Sequence, residues 1–321
     1  MGNKLLSLVL LSYYSNDRIT TAYYKIKTLL DKEKIPFELI VMDDGSSDNS
    51  YQIALELEKN EPNVKAYQLS KNYTSQYSIF AGLTLCSGGC AMPIVDDEQQ
   101  PYSTIVEMYR LWENGAKVII PHRVSRDDSW TSRIFSEAYY NIMNLLSEVK
   151  FPIGGADLYF IDQEIIDILV TKIHPIKTSS ITEVLRLGFE PIFLPYDRPL
   201  GLNEGKSRWS FKKKVNLAKD TFFSSSTFPI RLILNLGLFF SFFSFMLICF
   251  YVYIYFWGDS QFWKNTLPGW TSLVVFISFF SGLILFSLGV LAEYIWRIYE
   301  EVKGRPGYIV KKKSDDKKIE N

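Results

Sequence analysis

The first part of the chain alternates short apolar runs with longer stretches in which apolar residues recur every three or four positions. Apolar runs of this length predict buried strands, and the amphipathic stretches predict helices. Strands are expected at residues 7–11, 37–42, 64–69, 91–95 and 118–121, and helices at 17–34, 48–60, 103–114 and in a stretch ending near 86. This alternation predicts an α/β domain whose mostly parallel sheet is covered on both faces.

Two long apolar stretches follow in the last third of the chain. Leu232–Gly258 and Asn265–Ala292 contain no charged residue. A helix needs about 20 apolar residues to cross the hydrocarbon core of a bilayer, so transmembrane helices are predicted near 232–256 and 271–293. Buried core helices are the alternative. Basic residues flank the pair on both sides, and by the positive-inside rule this places both ends in the cytoplasm.

The predicted spans divide the chain into four parts. A cytosolic domain is expected over 1–210, followed at 211–231 by amphipathic helices in which apolar residues are mixed with lysines. Such helices lie at the interface with anionic lipid headgroups. The transmembrane hairpin is expected over 232–296 and a cytosolic tail over 297–321. Chain termini of this kind are often disordered, and the end of the tail is predicted to be so.

Composition and charge argue against several classes of protein. The chain has 35 basic and 35 acidic residues among its 321, so it offers no overall positive field for nucleic acid. Cys86, Cys90 and Cys249 lack the spacing of a disulfide framework or a metal site and are expected to be reduced, structural thiols. With only His122 and His174 in the chain, a histidine-based zinc site is not expected.

Acidic residues cluster where two of the predicted strands end. Asp43 and Asp44 follow the second strand, and Asp96-Asp97-Glu98 follows the fourth. Ligands of parallel sheets bind beyond the carboxyl ends of the strands, and a divalent cation that carries a phosphorylated ligand would neutralise such acids. An acidic surface turn is the alternative. The glycine motifs of dinucleotide oxidoreductases and of P-loop enzymes do not follow any strand, which argues against both classes.

Five segments of the chain resemble known motifs in their known order. They are Phe37–Asp48, Leu69–Tyr73, Ala81–Leu83, Ser207–Ser210 and Tyr299–Pro306. Together with two apolar spans after the soluble domain, they resemble the inverting GT-A fold of glycosyltransferase family 2 over nearly the whole chain. The branch they resemble is that of the polyprenyl-phosphate glycosyltransferases, which are GtrB-like and related to dolichol-phosphate mannose synthase. The resemblance implies a Rossmann-like GT-A domain in the cytosol.

The resemblance also implies a nucleotide-binding site. Tyr13, Asp43 and Asp44 would contact the base and ribose, and Lys71 and Asp96 would belong to the same site. Two alternatives stay open from the residues themselves. Tyr13 could be ordinary strand-end packing, and the aspartate pair could cap a turn.

The metal-binding motif of the family, Asp-x-Asp-x-Gln, is altered in this chain. Aligned on Gln99 and Pro101, the motif becomes Val95–Gln99, in which the first acid is missing. The resemblance implies that Asp97 and Gln99 bind Mg²⁺ or Mn²⁺, with the donor diphosphate and water completing the coordination shell. The chain also departs from the family pattern at Leu11, Ser15 and Gln100.

The resemblance assigns further residues to catalysis. Asp157 occupies the position of the catalytic acid, with a helix N-cap as the alternative. A lipid phosphate is already ionised, so Asp157 could orient the acceptor or the sugar instead of removing a proton. The departing diphosphate needs electrostatic stabilisation, and Arg123 is the catalytic candidate for it. The candidates for binding the diphosphate or the acceptor phosphate are Arg133, Arg198, Lys206 and Arg208.

These assignments predict an inverting transferase that moves a sugar from a UDP donor to undecaprenyl phosphate. It would be a multi-pass protein of the bacterial cytoplasmic membrane, with its catalytic domain and both termini in the cytoplasm. The expected partners are the nucleotide sugar, the polyprenyl-phosphate lipid and the membrane, and the tail could pack against a second subunit of a homo-oligomer. The alternatives are transfer to a lipid-diphosphate-linked saccharide or a cell-wall polymer, and a catalytically inactive membrane scaffold.

Overall fold

The chain forms two compact units. The structure is a computed structural model that describes residues 4–97, 100–123, 158–176, 178–196, 228–257 and 270–311. The first unit comprises Met1–Ser225 together with Arg305–Asn321, and the second comprises Ser226–Gly304. The chain therefore returns to the first unit after it has passed through the second, which the hydrophobic pattern does not predict.

The first unit contains alternating strands and helices, as the hydrophobic pattern predicts. The strands are β1 (Leu6–Ser12), β2 (Phe37–Asp43), β3 (Val64–Gln68), β4 (Cys90–Val95), β5 (Val118–Arg123), β6 (Phe160–Asp162) and β7 (Pro191–Tyr196). The helices are α1 (Arg18–Lys32), α2 (Ser50–Asn60), α3 (Ser75–Leu83), α4 (Ser103–Glu113), α5 (Gln163–Lys172) and α6 (Ser180–Arg186). Each strand and helix predicted before residue 122 is present, with ends close to those expected. The amphipathic helices predicted over 211–231 lie mostly outside the described residues and stay a prediction.

The described strands form one sheet in the order β3-β2-β1-β4-β6-β5-β7. Strand β1 pairs in parallel with β2 and β4, β2 pairs in parallel with β3, and β5 does so with β7. Of the described strands, only β6 is antiparallel to its neighbours, β4 and β5. Because β6 is antiparallel to both β4 and β5, strand β5 runs in the same direction as β4. It therefore ends at the same edge of the sheet as β1 to β4. The prediction of a mostly parallel α/β sheet is confirmed, and the sheet fits the GT-A fold that the resemblance implies.

Both faces of the central strands are buried, which explains their continuous apolar sequences. Successive residues of a strand point to opposite faces. In β1, Leu8 and Leu10 join the core beneath α1, whereas Val9 packs with Ile40 and Met42 on the other face. Because these side chains are fully buried, the strand ends are held in fixed register beside one another.

Strands β6 and β7 are not predicted from the sequence. β6 has only three residues, too few to show a period. β7 contains Pro191 and Pro195, and proline within an apolar run argues against a strand except at the edge of a sheet. β7 occupies such an edge position among the described strands.

The second unit contains two long apolar helices, α7 (Phe228–Trp257) and α8 (Trp270–Val302). Each contains one of the predicted spans at 232–256 and 271–293, and α8 continues beyond its span to Val302. By length and composition, one segment of the described chain, Phe279–Val302 in α8, qualifies as a membrane span, while in α7 the stretch Phe228–Phe240 is apolar but shorter. The helices are therefore observed, but a hairpin that crosses the membrane twice stays a prediction.

Candidate active site

Four parallel strands end side by side at one edge of the sheet. The register pairs Ser12 with Asp43, Asp43 with Gln68, and Leu11 with Val95. Strand β1 lies between β2 and β4, so the order of the strands reverses at β1. In open α/β sheets, ligands bind beyond the carboxyl ends of the strands at such a switch point. The segments that follow β1, β2, β3 and β4 therefore form the candidate active site.

Asp43 ends β2 with a fully buried side chain. Its Oδ2 accepts hydrogen bonds from the backbone N–H of Ser46 at 2.9 Å and from Gln68 Nε2 at 2.8 Å. Its Oδ1 accepts from Ser46 Oγ at 2.5 Å and from Ser12 Oγ at 3.5 Å. This geometry holds a turn and gives every oxygen of the buried carboxylate a hydrogen-bond donor. It fits the turn-cap alternative, and a direct contact between Asp43 and a nucleotide stays a prediction.

Asp44 links the turn after β2 to the loop after β3. Its Oδ1 accepts from the backbone N–H of Tyr73 at 2.7 Å, and its Oδ2 accepts from that of Thr74 at 2.9 Å. Thr74 has a φ of 85° and precedes α3, a conformation that costs a β-branched residue free energy unless its surroundings hold it. The Asp44 carboxylate supplies that support. Lys71 lies in the same loop, with its ammonium group 4.9 Å from the centroid of the Tyr73 ring.

Gly45 lets these two segments approach each other closely. Its φ is 70°, in the left-handed region that favours glycine. A Cβ atom at this position would lie 2.5 Å from the carbonyl carbon of Lys71. No side chain fits there without displacing backbone. The contact between the two loops therefore requires glycine at position 45.

The loop after β1 brings tyrosines to the same edge. Tyr13 and Tyr14 pack edge to face with 4.5 Å between ring centroids, and both are exposed. Partial burial raises the pKa of the Tyr13 phenol, although a hydrogen bond with Asn72 opposes the shift. Tyr13 thus lies beside the loop after β3, and its contact with a nucleotide stays a prediction. An exposed aromatic ring in this position can stack on a base.

The loop after β1 contains strained backbone, and Ser50 holds it in place. Tyr14 and Asn16 have φ values of 52° and 46°, which are uncommon for residues with side chains. Ser50 Oγ, at the start of α2, accepts from the backbone N–H groups of Ser15 and Asn16 at 2.8 and 2.9 Å. Strain of this kind persists only where other contacts fix it, and it is concentrated at functional sites.

Asp96 is a buried carboxylate paired with a cation from α1. Its Oδ2 lies 3.2 Å from Arg18 Nη2, and the residue is 6 % exposed. Burial raises the pKa of Asp96, while a hydrogen bond with Ser15 and the charge of Arg18 oppose the shift. The same guanidinium donates to the carbonyls of Tyr14 at 2.7 Å and Ser15 at 3.2 Å. Arg18 therefore joins the loop after β1 to the end of β4.

Asp97 lies next to this ion pair and is 9 % exposed. Its carboxylate offers the oxygen ligands that Mg²⁺ and Mn²⁺ prefer. Within the described parts of the chain, no cluster of three or more histidine, cysteine or acidic residues could hold a metal ion alone. The donor set fits a cation bound by one or two protein oxygens and by the phosphates of a substrate, which is how Mg²⁺ is commonly held.

Other predicted site residues are placed only in part. Arg123 ends β5 at the ligand-binding edge. The predicted residues that lie outside the described ranges are Gln99, Arg133, Asp157, Arg198, Lys206 and Arg208. Their roles stay predictions.

Three site residues were missed by sequence reasoning. Arg18, Ser50 and Gln68 contact the predicted residues or their loops but were not singled out by any motif. Gln68 could have been found, because it ends β3 directly beside the end of β2. Arg18 and Ser50 start helices that follow strand-end loops, which places them near the edge without specifying a partner.

Comparison with known proteins supports the resemblance. The profile described as Glycosyl transferase family 2 matches residues 10–179. A prophage-derived bactoprenol glucosyl transferase of Shigella flexneri is 30% identical over 96% of this chain and 97% of its own length. An uncharacterized glycosyltransferase of Synechocystis is 29% identical over 95% of this chain and 94% of its own. Among solved structures, mannosyl-3-phosphoglycerate synthase from Rubrobacter xylanophilus aligns with a TM-score of 0.46 and 13% identity, over 67% of this chain and 71% of that one.

Proposed function

Because the chain belongs to glycosyl transferase family 2, we propose that this glycosyltransferase moves a sugar from a UDP donor to undecaprenyl phosphate. The observation that carries the proposal is the junction of two acidic strand ends at the switch point of the sheet. One end is the turn over 43–46, which is bonded to the loop over 71–74. The other is the buried pair Asp96 and Asp97. This arrangement suits a nucleoside bound at the first strand end and its diphosphate bound at the second.

The nucleoside would lie against the first of these strand ends. Tyr13 offers an exposed ring for stacking on the base. Asp44 accepts from Tyr73 and Thr74, and each oxygen of a carboxylate can accept more than one hydrogen bond, which suits ribose hydroxyl groups. Lys71 lies in the same loop as Tyr73 and supplies a positive charge for the phosphates.

The diphosphate would lie against the second strand end. Asp97, together with Gln99, would hold Mg²⁺ or Mn²⁺, which when bound neutralises the developing charge of the leaving diphosphate. Arg18 balances the charge of Asp96, so Asp97 is the carboxylate assigned to the cation. The absence of an acid at Val95 fits a site that depends on the substrate phosphates for much of its metal affinity.

The proposed acceptor, undecaprenyl phosphate, is supported by the relatives and by the apolar helices. The Shigella relative is named for bactoprenol, a polyprenol, and one segment of α8 is long and apolar enough to span a membrane. A polyprenyl phosphate presents an ionised oxygen at the membrane surface, which can attack the anomeric carbon without a general base. Asp157 would orient the acceptor or the sugar, and Arg123, Arg133, Arg198, Lys206 and Arg208 would bind the phosphates. Direct displacement inverts the anomeric configuration.

Calorimetric titration of the full-length protein in detergent tests the donor site. UDP should bind more tightly with Mn²⁺ than with EDTA, since the metal joins Asp97 to the diphosphate. Asp97→Ala should reduce the effect of Mn²⁺ by roughly tenfold or more and leave the metal-free affinity close to that of the wild type. UDP affinity that is independent of metal in the wild type would contradict the metal assignment, and no UDP binding at all would contradict the donor assignment.

A further inference from the structure

The segment that follows α8 forms backbone hydrogen bonds with the end of β3. Leu69 and Val310 form an antiparallel bridge. The backbone N–H of Ser70 donates to Ile309 O at 2.8 Å, and that of Lys311 donates to Gln68 O at 2.8 Å. We call residues 307–311 the return segment. It lengthens the sheet at the point where β3 ends and the loop with Lys71 begins.

The return segment is packed as well as hydrogen-bonded. Tyr308 and Val310 contact the apolar cluster that contains Val9, Leu69 and Ala81. A Cβ atom on Gly307 would lie 3.0 Å from Pro175 Cγ and 3.1 Å from Tyr77 Cε1. Gly307 therefore lies close to α3 and to the chain after α5, with little room for a side chain.

A chain of side-chain hydrogen bonds runs from the return segment to the buried turn after β2. Lys311 Nζ donates to Gln68 Oε1 at 2.8 Å. The amide of Gln68 then donates through Nε2 to Asp43 Oδ2 at 2.8 Å and to Ser46 O at 3.2 Å. The ammonium group fixes which end of the amide faces Asp43, and it polarises the amide so that its N–H groups become better donors.

A second connection runs through the backbone. The bond between Ser70 and Ile309 fixes the first residue of the loop that carries Lys71, Tyr73 and Thr74. The backbone of that loop donates to Asp44. Both connections therefore end at the turn over 43–46 and the loop over 71–74, which are the two segments assigned to the nucleoside.

We infer that Gln68 and Lys311 are positioning residues for the nucleotide donor, through which the return segment holds the nucleoside site in its binding geometry. The inference rests on the proposed function, because it takes the turn and the loop as the donor site. Neither residue touches the donor; each acts through Asp43 and the turn. The chain that leaves α8 thereby completes the donor site, although Lys311 lies 243 residues beyond Gln68 in sequence.

Steady-state kinetics of the full-length Lys311→Met variant test the inference, with undecaprenyl phosphate as acceptor and, as donor, a UDP-sugar that the wild type transfers. The variant keeps the aliphatic stem and loses the ammonium group, so the donor KM should rise roughly fivefold to tenfold, which is the size of one ordinary lost hydrogen bond. The acceptor KM and kcat at saturating donor should stay within about twofold of the wild type. Lys311→Arg restores a cationic donor and should return the donor KM towards the wild-type value. Gln68→Met should raise the donor KM at least as much as Lys311→Met does.

Lys65→Met is the matched control. Lys65 lies on the same strand, but its ammonium group faces Glu38 Oε2 at 3.4 Å, and its loss should not change the donor KM. An unchanged donor KM in Lys311→Met and Gln68→Met, with a wild type that binds UDP, would overturn the inference alone. A joint change of donor KM, acceptor KM and unfolding temperature would also overturn it, since that is general structural loss. A wild type that binds no UDP would overturn both the proposed function and this inference.

Discussion

At the scale of single residues, the site depends on how each carboxylate is held. Asp43 is enclosed by donors, Asp44 is shared between two loops, and Asp96 is paired with Arg18. The sequence shows only that acids gather at the strand ends. Their different environments depend on residues distant in sequence, such as Gln68 and Arg18, and therefore could not be predicted from the motif.

Gly45 provides the sharpest test of the turn geometry. Gly45→Ala forces a Cβ into the backbone of Lys71 and should lower the unfolding free energy by about 2–4 kcal/mol and weaken UDP binding. Gly115 is the control, because its φ is 100° but a Cβ atom added there would meet nothing within 4 Å. Gly115→Ala should cost about 1 kcal/mol and leave UDP affinity unchanged. Equal effects of both substitutions would show that the close contact with Lys71 is unimportant.

The ion pair of Arg18 and Asp96 can be measured by a double-mutant cycle. Arg18→Met leaves a buried carboxylate without its guanidinium and should destabilise the protein by about 2–3 kcal/mol, less than a fully buried pair because Arg18 is partly exposed. Asp96→Asn in the Arg18→Met background should recover part of that loss. Thermal unfolding of the wild type, Arg18→Met, Asp96→Asn and the double variant gives the coupling free energy between the two side chains. Strictly additive effects would contradict the pairing.

At the scale of elements, the central strands and helices follow from the hydrophobic pattern. Apolar runs such as 39–42 are buried on both faces, and their composition favours strands. The three-residue β6 and the return segment have no such pattern. They are held by pairing with β4, β5 and the end of β3, partners far away in the chain, so a local reading of the sequence could not find them.

The amino ends of β1 and β2 are joined by Glu38, which gives the protein a pH dependence. Burial opposes ionisation of Glu38, but hydrogen bonds from Ser7 and Ser87, both at 2.6 Å, outweigh it and hold its pKa below the usual 4.5. A lowered pKa in the folded state stabilises the fold above pH 4.5, and this contribution is lost as the pH falls through the folded-state value.

Thermal unfolding of wild type and Glu38→Gln across acidic pH tests this. The variant should unfold at a lower temperature than the wild type near neutral pH. The difference should shrink as the pH falls from 4.5 through the lower folded-state pKa of Glu38. A constant difference at every pH would show that Glu38 contributes only by packing. Lys65→Met removes the longer contact at 3.4 Å and should have a smaller effect.

At the scale of the whole molecule, the chain combines an α/β catalytic unit with a helical unit and then returns to the first. Length and hydropathy predict the two long helices, since runs without charge are visible in the sequence. They do not predict the return, because residues 307–311 are ordinary in composition and their partners lie at the end of β3, far away in the chain. The catalytic assignment rests on the match to the family and on the geometry of the strand ends, and the acceptor assignment remains a proposal.

The most direct test of the central claim is transfer of radiolabel into a lipid. Membranes that contain the protein would be incubated with Mn²⁺, undecaprenyl phosphate and a panel of radiolabelled UDP-sugars. The proposed function predicts organic-soluble label from at least one donor, dependent on added undecaprenyl phosphate and lost in Asp97→Ala. The absence of such label with every donor, from a protein that binds UDP, would contradict transfer to the polyprenyl phosphate.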